Sequence, residues 1–187
     1  MKSVRLRQCA ETVLFSAFSF GLSWIRIVEM PLGGSLTLLC MLPVCLLSLR
    51  WGIGWGACGG FLFGVLRAAS DLPGILVQYS SPGAVIGCLL LSYAAAFSAV
   101  GLAGLFRRHG IAGAVAGVFL AVFLRFACHS LFGALAGTGI PEGWTSGWLY
   151  FPAYHGFYLL PEYVLTTLGA VFFITTNLIE MYQIDTD

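Results

Sequence analysis

Gly83-Ala84-Val85-Ile86-Gly87-Cys88-Leu89-Leu90-Leu91-Ser92-Tyr93-Ala94-Ala95-Ala96-Phe97-Ser98-Ala99-Val100-Gly101-Leu102-Ala103-Gly104-Leu105-Phe106 contains no Asp, Glu, Lys or Arg, and Arg107 and Arg108 follow it directly. A helix needs about 20 largely apolar residues to cross the hydrocarbon core of a bilayer, and this stretch is long enough. Backbone polar groups in lipid must bond within the segment, so a helix is the form it takes.

Apolar stretches of the same kind fill most of the chain. They predict helices near 11–28, 35–50, 52–68, 83–106, 111–132 and 154–176, which makes an all-α integral membrane bundle of six transmembrane helices in one domain, 1–187. The composition agrees: of 187 residues 59% are hydrophobic and 9% charged, with mean hydropathy +0.92. Soluble domains carry roughly 25% charged residues, so too few ionic side chains exist to cover this chain in water. A formal net charge of +1 with no basic run beyond Arg107-Arg108 excludes a nucleic-acid track. Lys2, Arg5 and Arg7 before the apolar stretch at 13–27 imitate a signal peptide; the further apolar stretches favour a first spanning helix kept in the mature protein.

In the six-helix arrangement Lys2, Arg5, Arg7, Arg50, Arg107 and Arg108 fall on one side, and Arg26, Arg67 and Arg125 on the other. The excess of positive charge in cytoplasmic loops places the first group, and both termini, inside the cell. Asp71-Leu72-Pro73-Gly74 and Ser81-Pro82-Gly83 have turn chemistry and predict a real loop between the third and fourth helices. A long outer connection is expected from Gly133 to Ala153.

Gly52, Gly56, Gly60 and Gly64 recur every four residues, as do Gly113 and Gly117, and Gly133 and Gly137. Such stripes let helix backbones approach closely, within one chain or between two. Cys9, Cys40, Cys45, Cys58, Cys88 and Cys128 form no CxxC spacing and read as small hydrophobes. No metal or cofactor is implied. Neither a GxSxG elbow, an HExxH helix nor a GxxxxGK[ST] phosphate loop is present, which argues against an enzyme and against intrinsic ATP use.

The polar residues in apolar surroundings are the candidate site. His129 follows Arg125 by one helical turn, Ser92-Tyr93 interrupts the fourth helix, and Glu162 lies inside the sixth, needing a partner such as Arg125 or His155. Trp144, Trp148, Tyr150, Tyr154 and His155 crowd the outer connection. They read either as an interfacial aromatic belt or as walls that stack a flat or cationic ring.

With these residues in view, the chain resembles the thiamine-binding (ThiT/YuaJ) substrate-binding components, or S components, of energy-coupling factor (ECF) vitamin transporters, from about Val4 to Phe172. The likeness is carried by Gly33-Gly34-Ser35-Leu36-Thr37-Leu38 with Met41-Leu42-Pro43, by Leu47-Ser48-Leu49-Arg50-Trp51-Gly52, and by Val100-Gly101-Leu102-Ala103-Gly104-Leu105-Phe106-Arg107. Leu124-Arg125-Phe126-Ala127-Cys128-His129 and Pro141-Glu142-Gly143 extend it. The resemblance implies a six-helix bundle that takes its vitamin from outside and joins a transmembrane coupling subunit and two ATPase subunits.

It also implies ligand contacts at Tyr93, His129 and Tyr150. Ser92 stands where the family usually has a carboxylate, and His155 where it commonly has an asparagine; Gly137 falls near a pocket aromatic whose space Trp144 or Trp148 would fill. The family's small-residue coupling face on the first helix aligns with Val13, Ala17 and Gly21. Thiamine is the first ligand expected, a pyrimidine or thiazole precursor the second. A structural membrane protein with no small-molecule ligand is the alternative from a different class.

Overall fold

The computed structural model describes residues 2–30, 34–176 and 178; Gly33 of the family-like motif lies outside them. The chain is largely helical. Helix α1 (Lys2–Leu22) leads into a two-stranded antiparallel hairpin, β1 (Arg26–Glu29) and β2 (Ser35–Thr37), which pairs Arg26 with Thr37, Val28 with Leu36 and Glu29 with Ser35. Helices α2 (Leu42–Trp51) and α3 (Ile53–Gln78) follow. A fourth column begins as α4 (Pro82–Gly87), continues as a π-helix (Cys88–Ala95) and α5 (Ala96–Val100), and ends in a 3-10 turn (Gly101–Gly104). Helices α6 (Gly110–Ala136) and α7 (Gly147–Thr175) complete the bundle.

Among the described residues, three stretches are long and apolar enough to cross a membrane: Ile53–Gln78, Pro82–Ala136 and Gly147–Thr175. The second doubles back on itself at residues 105–109. Gly113 lies beside the Phe106 carbonyl, Gly117 beside that of Ala103, and the His129 ring faces Phe97 at 6.4 Å, so α6 runs antiparallel to the column before it.

Several expected boundaries are corrected. The first helix starts earlier and stops at Leu22, because Arg7 and Glu11 one turn apart, at 2.9 Å, support a polar N-terminal half. The chain then turns into the hairpin, where β-branched Val28 pairs with Leu36 and Ile27 sits at a register shift. The second helix is not 35–50: its first residues form β2, and α2 has ten residues, about 15 Å of rise. That is half of a hydrocarbon core, and α2 is accordingly wrapped by protein, with Leu42 to Leu49 all buried.

The predicted turn at Asp71-Leu72-Pro73-Gly74 is helix, and α3 runs through Pro73 to Gln78. Proline is tolerated in such helices when the freed carbonyl finds another donor or a local adjustment. The connection to α4 shrinks to 79–81, where the Ser81 hydroxyl accepts from the Ala84 amide as an N-cap. The Ser146 hydroxyl caps α7 in the same way, so the outer connection runs over 137–146 and not from Gly133 to Ala153.

The glycine stripe does what its spacing predicts, with two exceptions. Gly56, Gly60 and Gly64 set α3 against the backbone of Gly101, Phe97 and Tyr93. Gly52 instead forms the hinge between α2 and α3 at φ 96°, and Gly137 ends α6 in the left-handed conformation at φ 62°. On α1 the buried face is Thr12, Ser16 and Ser19, continued by Ser23 just past its end, and the Ser16 hydroxyl donates to the Gly59 carbonyl at 2.9 Å. All six cysteines are free, with Cys9 and Cys58 exposed. At one end of the bundle Glu11 accepts from Arg7 and Trp51 and forms an ion pair with Arg50 at 3.1 Å, and Arg107 donates to the Arg50 carbonyl, so the tips of three helical columns are tied together.

Candidate functional site

Two small adjoining chambers lie between the hairpin, α3, the π-helix, α6 and α7, and share Gly34, Tyr93, His129 and Tyr158 as common walls. Their free volumes are about 80 and about 130 Å³. An ordinary small-molecule site holds roughly 300 Å³ or more, so a ligand of two rings has to use both.

The first chamber is the charged one. Arg67 and Asp71, one turn apart on α3, meet through Nη2 at 2.9 Å from Oδ1 and 2.7 Å from Oδ2, and the Tyr93 hydroxyl donates to Oδ2 at 2.9 Å. Tyr93 stacks on Phe97 with ring centres 6.0 Å apart and planes 14° from parallel. The Arg125 guanidinium lies over the other reach of the Phe97 ring, 4.5 Å from its centre. Arg125 Nε donates to His129 Nε2 at 3.5 Å. A guanidinium has no acceptor, so this contact assigns the neutral His129 proton to Nδ1.

The second chamber is aromatic. Tyr79, Phe132, Phe151, Tyr154 and His155 line it together with Ser92. His155 Nδ1 pairs with the Tyr158 hydroxyl at 2.9 Å, its ring lies 5.5 Å from that of His129, and the Tyr154 hydroxyl accepts from the Gly34 amide at 2.9 Å. Gly34 has no room for a side chain: a Cβ there would come within 3.0 Å of both tyrosine rings. The π-helix carries Ser92 and Tyr93, and its wider winding turns both towards the chambers; such bulges concentrate at functional sites.

Of the residues singled out in the sequence, Tyr93, His129, Ser92 and His155 come together on the chamber walls. Tyr150, 8% exposed, stands one layer out, with Trp144 at 5.3 Å on one side and Tyr154 at 5.7 Å on the other. Trp144 and Trp148 are 45% and 59% exposed and line neither chamber. Glu162 is fully buried behind the first chamber. Its Oε1 accepts from the Thr37 hydroxyl at 2.8 Å and the Cys40 thiol at 2.9 Å, and its Oε2 is 3.9 Å from Arg125 Nη1.

The sequence reading missed Asp71 and Arg67, assigned to a turn and its flank, and the walls Phe97, Tyr79 and Tyr158. One signal was available: Tyr150, Tyr154, Tyr158 and Glu162 recur every four residues and form the buried stripe of α7.

The arrangement is suited to stacking flat rings and to hydrogen bonding their polar edges. Comparison with known proteins agrees on what kind of protein carries it. Residues 9–182 match the family described as thiamine transporter protein (Thia_YuaJ). The thiamine transporter ThiT of Bacillus subtilis (strain 168) is 31% identical over 154 residues, spanning 75% of each chain. A solved structure of ThiT from Listeria monocytogenes superposes with a TM-score of 0.74 over 92% of this chain and 95% of that one, at 22% identity, and so shares the fold. By its match along nearly the whole length, this chain belongs to the thiamine transporter protein (YuaJ) family.

Proposed function

We propose that the chain is the substrate-binding component of an energy-coupling factor transporter, a single domain over 1–187 that captures thiamine from outside. The observation that carries this reading is the pair of linked chambers, one charged and one aromatic, walled jointly by Tyr93, His129 and Tyr158. Thiamine has a charged ring and an aminopyrimidine, and the two chambers offer each ring a stacking surface. His129, neutral with its proton on Nδ1, donates to a ring nitrogen or hydroxyl of the ligand. Trp144, Tyr150 and Trp148 form the outer aromatic approach, and Glu162 holds Arg125 in place from behind.

In this reading six helical columns cross the bilayer, with the short α2 supported inside the bundle. The cluster of Arg7, Arg50 and Arg107 at one end supports cytoplasmic termini. A transmembrane coupling subunit and two ATPase subunits supply the energy. Ala17 and Gly21 are the docking stripe on α1: both are exposed, opposite the buried serine face, and a methyl built on Gly21 would meet no atom within 4 Å.

Calorimetric titration of the purified protein with thiamine is expected to give saturable heat. His129→Ala should weaken that binding about tenfold to a hundredfold in protein that still elutes as a folded species, by loss of one buried hydrogen bond and one ring wall. Absence of both heat and retained thiamine in the wild-type protein overturns the proposal.

A further inference from the structure

The site lacks a carboxylate at residue 92, yet thiamine carries a permanent positive charge. Glu162 cannot supply the missing negative charge, since it is sealed from both chambers and already engaged by Thr37, Cys40 and Arg125. Among the residues lining the two chambers, Asp71 is the one carboxylate. Its side chain is 26% exposed, and it shares the chamber with the Tyr93 and Phe97 rings, whose faces suit a flat cation.

We infer that Asp71 is the counter-charge for the ligand's cationic ring, and that Arg67 is a positioning residue that holds it and tempers its charge. This rests on the reading of the chambers as a thiamine site. A carboxylate has about four lone-pair directions. Arg67 and Tyr93 occupy three of them, two on Oδ2 and one on Oδ1, which leaves an edge of Oδ1 free. The geometry relocates the negative charge from the π-helix to α3, across the same Tyr93 ring. Arg67 competes directly with the ligand for that charge, so the two residues have opposite effects on a cation and little effect on a neutral ring.

The test titrates two probes, thiamine and the free alcohol of its uncharged aminopyrimidine half, into wild type, Asp71→Asn, Asp71→Glu and Arg67→Gln. Asp71→Asn is expected to weaken thiamine about tenfold to a hundredfold, as loss of one partner of a close charge pair does. The neutral alcohol should change less than about threefold, and Asp71→Glu should recover most of the thiamine affinity. Arg67→Gln is expected to tighten thiamine about threefold or more by removing the competing cation. This variant leaves no unpaired buried arginine and decides the matter if Asp71→Asn does not fold.

Equal weakening of both probes by Asp71→Asn would make the residue structural and overturn the inference. So would an unchanged thiamine affinity, or weaker thiamine binding by Arg67→Gln. A wild-type protein that binds neither probe, or the neutral one alone, overturns the thiamine reading and this assignment together; normal wild-type binding with an indifferent Asp71 overturns this assignment alone.

Discussion

Gly60→Leu is expected to prevent recovery of folded protein, whereas Gly54→Leu on the same helix is expected to be silent. A Cβ at Gly60 would lie against the Phe97 carbonyl, 3.0 Å from its carbon and 3.3 Å from Ser98 Cα. These are backbone atoms of a neighbouring helical column and cannot rotate aside as a side chain can. Extra methylenes in a filled core cost about 1–3 kcal/mol when side chains give way, and a leucine against backbone exceeds that range. Total stabilities of about 5–15 kcal/mol leave little to absorb it. Gly54 faces outward with no atom within 4 Å of a built Cβ, and substitutions at such positions fall within about 0.5 kcal/mol. Size-exclusion profiles and thermal midpoints of the two purified variants check the pair; a Gly60→Leu protein that elutes and melts as wild type does would mean α3 does not contact the fourth column at this point.

That contrast marks what the sequence discloses. Packing between long helices is legible because a glycine every fourth residue has a direct geometric consequence, one continuous groove. Gly52 and Gly137 share the spacing but not the role, since each sits at a helix end where positive φ is needed, and spacing alone does not distinguish a groove from a cap. The hairpin at Arg26–Glu29 and Ser35–Thr37 is illegible for a related reason: short apolar runs suit helix and strand alike, and here the tertiary setting decides.

At the site, Tyr93 and His129 stand out because each is a polar group inside an apolar helix, where a polar atom needs a reason. Asp71 does not, because Pro73 and Gly74 beside it carry the strongest local turn signal in that part of the chain. The helix continues through them, and the carboxylate is thereby carried to within 2.9 Å of a tyrosine 22 residues further along. Local rules describe the proline correctly and the segment wrongly. The same holds for Glu162: its need for a partner is readable from composition, and Arg125 is among the obvious choices, but the Thr37 and Cys40 donors come from a hairpin strand and the turn after it, which the sequence does not announce.

Glu162→Ala should be the most damaging substitution of a charged residue in the chain, and for a reason that concerns Arg125 more than the glutamate. The carboxylate is fully buried and Arg125 nearly so, 3.9 Å apart. With Glu162 gone, Arg125 loses its carboxylate and is left with neutral partners, among them the Phe97 face, His129 Nε2 and the Cys40 thiol, and Thr37 and Cys40 lose their acceptor. Breaking a buried pair from one side costs about 3–5 kcal/mol, enough to remove much of the stability of an ordinary domain. Replacing both charges with apolar residues of similar volume is often neutral or stabilising, so Arg125→Met with Glu162→Leu should melt well above Glu162→Ala alone. Thermal unfolding of the two variants in the same detergent measures the difference. A double variant no more stable than the single would show that Glu162 acts through Thr37 and Cys40, holding the hairpin to α7, and that the ion pair contributes little.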